Sequence, residues 1–76
     1  MNKDIREAIK VHRKNVEMGM DINAELATVT EKIELLTVLY TARAYSAEFN
    51  AAIMEERLRL QVESSAMHAV IREMKG

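Results

Sequence analysis

Seventy-six residues without a cysteine make one domain at most, and they exclude disulfides, thiolate metal sites and thiol nucleophiles together. Eleven Lys and Arg against twelve Asp and Glu leave a formal net charge of −1, too little for a strong overall pull toward nucleic acid or an anionic membrane. A chain this short buries only roughly 60% of its unfolded surface, so it needs extra support, and oligomerisation is the form of support the composition leaves open.

Proline is absent, glycine occurs only at Gly19 and Gly76, and Ala, Leu, Glu, Met, Lys and Arg dominate. These are strong helix formers, and no alternating β-branched run bounded by turn residues competes with them. The expected fold class is all-α, a single helical domain over 1–76.

The first helix is expected over about 3–18. Asn2 is an acceptable N-cap, and Asp4 in the first turn faces the positive end of the helix dipole. Ile5, Ile9, His12 and Val16 follow a 4-3-4 spacing and so share one face. Gly19 is expected to end this helix in the left-handed region, with Asp21 as the N-cap of the next helix.

After Asp21 the stop signals vanish. One apolar stripe runs through Ile22, Leu26, Val29, Ile33, Leu36, Tyr40, Ala44, Ala47, Ala51, Met54, Leu58 and Val62, with a mean spacing of about 3.6 residues. The stripe keeps its phase through Ala44, Ala47 and Ala51, which favours one long helix over about 21–75, roughly 80 Å from end to end. The alternative is a two-helix hairpin broken near 45–47, where Ser46 followed by Glu48 makes a reasonable N-terminus. Thr28 to Glu31 also spells a capping box, but inside the stripe.

A second seam lies on the opposite side of this run. It holds Ala24, Leu35, Val38, Ala42, Phe49, Ile53, Leu60, Met67, Ile71 and Met74, and Ile53, Leu60, Met67 and Met74 recur every seven residues. A helix apolar on two sides needs two neighbours. The first helix, about 25 Å long, covers only part of an 80 Å element. A helical or coiled-coil bundle formed by oligomerisation is therefore expected. Its core would be Ile22, Leu26, Val29, Ile33, Leu36, Tyr40, Met54 and Leu58. The seam Phe49, Ile53, Leu60, Met67, Ile71 and Met74 would complete the oligomer or take a target helix.

Little else carries chemistry. Ser64 and His68 share a helical face, yet no acidic third member or oxyanion hole accompanies them, so no catalytic residues are assigned. Neither histidine follows a Glu by three positions, as a di-metal bundle site would require, and His12 reads as a partly buried structural residue. No metal or cofactor is expected.

Charge is unevenly spread. Residues 1–20 carry a net +2, residues 21–56 carry seven acids against Lys32 and Arg43, and residues 57–76 return to +2. Oppositely charged ends and middle suit antiparallel self-association. Lys3, Arg6, Lys10, Arg13 and Lys14 form a basic arc on helix 1, and Arg43 lies among Tyr40, Tyr45 and Asn50. Together these define an alternative function, binding of a nucleotide or nucleic acid.

No apolar run is long enough to span a membrane, and no signal peptide pattern is present. The expected protein is cytoplasmic, non-enzymatic and homo-oligomeric, acting by protein–protein interaction as an adaptor, chaperone, regulator or inhibitor.

Overall fold

The computed structural model describes residues 3–42 and 46–76. Among them the chain is all-α, with α1 (Lys3–Glu17), α2 (Ile22–Ala42) and α3 (Ala47–Lys75).

The turn after α1 forms as the glycine dictates. Gly19 has φ +98°. The Met20 amide donates to the Asn15 carbonyl at 3.0 Å and the Gly19 amide to Val16 at 3.0 Å, the paired bonds of a Schellman motif. Asp21 then caps α2, its Oδ1 accepting from the amides of Asn23 (3.1 Å) and Ala24 (3.3 Å). Asn2, the expected cap of α1, lies outside the described residues.

The single long helix is not what forms. Helix α2 ends at Ala42 and α3 starts at Ala47 with Ser46 as its cap, the serine Oγ accepting from the Phe49 amide at 3.2 Å. The molecule's longest extent is 43 Å, against the roughly 80 Å of an uninterrupted helix. Thr28 sits inside α2, its hydroxyl donating back to the Ala24 carbonyl, so the capping-box pattern there starts nothing.

Packing energy explains the hairpin. Separating α2 from α3 lets the first stripe of α2 face the second seam of α3. The core joins Ile9 of α1, Ile22 and Val29 of α2, and Leu60, Ala66, Met67 and Val70 of α3. Each large side chain so buried contributes about 1.5–3 kcal/mol. The helical hydrogen bonds given up between the two elements are worth only about 0.5–1.5 kcal/mol each. Several buried side chains outweigh a few backbone bonds.

Helix α3 is the spine. Both α1 and α2 pack along it, and they touch each other little. The ion pairs His12–Glu63 and Arg13–Glu73 lay α1 along the C-terminal half of α3. The radius of gyration, 14.1 Å, exceeds the roughly 11.4 Å of a compact chain this long.

Candidate interaction surface

The hairpin uses one apolar face of each long helix and leaves the other outside. On α3 the unused face is the second half of the first stripe: Ala47, Ala51, Met54, Leu58 and Val62. Ala47, Ala51 and Leu58 are exposed, and Met54 and Val62 are half-buried. Leu58 keeps 52% of its surface in solvent. On α2 the unused face carries Leu35 at 59% and Val38 at 65%.

Helix lengths create the first of these faces. Fifteen residues make α1 about 22 Å long, whereas the 29 residues of α3 span about 43 Å. Helix α1 reaches back along α3 only to about Leu58, so the first turns of α3 have α2 alone beside them. Two shallow grooves flank the strip. One, of about 540 Å³, lies between α1 and α3 and is lined by Ala8, Val11, Leu58 and Val62 with Asp4, Glu7, Arg59 and Glu63 around them. The other, of about 550 Å³, is lined by Tyr40, Ala47, Asn50, Ala51, Met54 and Glu55.

Of the residues expected in an oligomer core, Ile22 and Val29 are buried within this chain. Leu26, Ile33 and Leu36 are half-buried against its core. Tyr40 and Met54 are half-buried on the second groove, and Leu58 stands exposed. The expected partner seam also turns inward. Ile53, Leu60 and Met67 are buried and Ile71 is half-buried, leaving only Phe49 and Met74 exposed. The folded-back chain itself covers Leu60, Met67 and most of Ile71.

Polar groups tie α1 to the spine. His12 is buried, and its Nε2 contacts the Glu63 carboxylate across 51 residues of sequence. Its Nδ1 has no hydrogen-bond partner among the described residues. Nothing local foretold Glu63 as the partner, because the pairing depends on how α1 crosses α3. Beside it, Arg13 grips Glu73 with two parallel bonds, Nε to Oε2 at 2.8 Å and Nη2 to Oε1 at 2.5 Å. Hydrogen bonding from Arg13 holds the Glu73 carboxyl below its ordinary pKa, outweighing the opposing effect of burial, with the charge of Arg13 a lesser aid.

The basic arc of α1 points outward, with Lys3, Arg6, Lys10, Arg13 and Lys14 all exposed. Arg6, Lys10 and Arg13 line a smaller groove of about 280 Å³, but Glu73 lines it too and already engages Arg13. Arg43 and Tyr45 lie outside the described residues, so the pocket read around them has no geometry here. Ser64 is half-buried and His68 exposed. No helix among the described residues is long and apolar enough to cross a membrane.

No family model matches this chain, and neither a curated protein nor a solved structure matches it.

Proposed function

We propose that this is a non-enzymatic, homo-oligomeric helical protein that acts by protein–protein interaction, as an adaptor, chaperone, regulator or inhibitor. The observation carrying the reading is surplus surface. The chain exposes 5485 Å², whereas a compact monomer of 8.7 kDa exposes roughly 4,700 Å². Much of what is exposed is large and apolar, including Leu35, Val38 and Leu58. Scattered apolar residues need no explanation, but these lie on the outer faces of α2 and α3, and Leu58 lines a groove. A chain with so thin a core gains most of its missing burial by association.

Light scattering on a size-exclusion column tests this directly. The expected result is a dimer or larger species whose melting temperature falls on dilution, as mass action requires. A well-folded monomer whose melting ignores a hundredfold dilution would overturn the reading.

A further inference from the structure

We infer that the outer strip of α3 is closed by a second copy of this chain, packed antiparallel about a twofold axis near Met54. The inference rests on the oligomeric reading and adds the face and the direction.

Area points to a copy of comparable size. The surplus over a compact monomer is about 750 Å², close to the roughly 800 Å² that each partner gives up in a standard interface.

The strip is graded, and the gradient selects the direction. Its first half is small, Ala47 and Ala51. Its second half is large, Leu58 and Val62, with Val11 of α1 standing 57% exposed beside them. Antiparallel pairing sets Ala47 opposite Val62 of the second copy and Ala51 opposite Leu58, with Met54 meeting itself. Large side chains then fill the hollows above small ones, as interior packing density demands. Parallel pairing would stack Leu58 on Leu58 and leave a void between facing alanines.

Charge within the strip agrees. Opposite senses move Glu48 and Arg59 away from their own counterparts, setting Glu48 near the level of Gln61 and Arg59 of the second copy, whereas equal senses set each against itself. One local contact opposes this arrangement. Glu55 lies on the rim of the strip, one position from the axis, and would approach its own counterpart.

The chain has no native cysteine, so single introduced cysteines map the contact without ambiguity. Under mild oxidation, Met54→Cys is expected to cross-link to itself. A mixture of Ala51→Cys and Leu58→Cys is expected to form the mixed disulfide in preference to either homodimer. Leu58→Glu is expected to weaken association by about tenfold or more, since it removes a contact leucine, with helicity kept because the side chain is exposed in the chain's own fold. Glu55→Gln is expected to tighten it.

Failures separate cleanly. A native chain that stays monomeric sinks the oligomeric reading and this inference together. A dimer that cross-links through Val38→Cys but not Met54→Cys keeps the reading and overturns the face. Equal self-cross-linking of Ala51→Cys and Leu58→Cys overturns the direction.

Discussion

The two halves of α3 are one helix under two different covers. From about Leu58 to the C-terminus, α1 and α2 both lie alongside, and Leu60, Ala66, Met67 and Val70 are buried. Before that point, α2 alone is alongside. There Ile53 is buried while Ala47 and Ala51 are exposed, and Leu58 stands exposed at the edge of α1. The helical period does not change between the halves, and apolar residues occupy two faces in both. What changes is the reach of α1, which runs out after 15 residues. Apolar periodicity thus states how many faces need covering, while element length decides which are covered within the chain.

Substitutions two positions apart in the sequence should register that difference most strongly. Leu60→Ala empties a site where the helices of one chain meet, and it is expected to lower unfolding free energy by about 2–5 kcal/mol. A domain of this size holds only about 4–11 kcal/mol in total, so that loss takes a large share. Leu58→Ala, measured dilute enough to keep the chain monomeric, is expected to change it by less than about 0.5 kcal/mol. Urea titrations monitored by circular dichroism give both numbers. Similar losses at the two positions would mean that the exposed face of α3 is covered within the monomer.

The sequence made one boundary plain and hid the other. Gly19 and Asp21 are local signals with local mechanisms, a positive φ and a side-chain cap, and both act as expected. The boundary between α2 and α3 has no glycine or proline, and the stripe passes through Ala44, Ala47 and Ala51 without losing phase. Only Ser46 and Glu48 mark it. The hairpin is a tertiary decision, made because Ile22 and Val29 can be buried against the seam of Leu60 and Met67. No local propensity contains that energy. The same limit governed the surface. Both apolar faces were legible, but which one stays outside depended on where the chain turns back. The His12–Glu63 contact, 51 residues apart, was out of reach for the same reason.

Gly19 controls the half of α3 that is covered twice, because it sets the path by which α1 returns to the spine. An added Cβ there meets nothing within 4 Å, so Gly19→Ala acts through the backbone rather than through crowding. Holding alanine at φ +98° is expected to cost about 1–2 kcal/mol. Native-state hydrogen exchange should show the loss concentrated in α1 amides, with α2 and the first half of α3 less affected. Gly19→Asn is expected to recover part of the loss, since asparagine tolerates the left-handed region. Uniform acceleration over all three helices would show that α1 and the hairpin unfold as one unit.

The smallest expected effect belongs to the ion pair at the far end of the same contact. Arg13 and Glu73 are 52% and 45% exposed, so salt and water screen their attraction, and removing it should barely move the melt at neutral pH. Its signature is the direction of its pH dependence. The folded carboxyl of Glu73 titrates below its unfolded value of about 4.3, chiefly because Arg13 hydrogen-bonds its charged form. Its contribution is therefore complete above that value and disappears as pH falls through the lower folded pKa. Glu73→Gln cannot follow this titration. Melting temperatures of the two proteins in low salt should differ slightly at pH 7 and draw together as pH falls below the unfolded value. General acid unfolding moves both proteins together, so only the gap between them reports on the pair. A gap unchanged from pH 7 to pH 3 would mean that glutamine disturbs packing, and that Arg13 contributes nothing to holding α1 on the doubly covered half of α3.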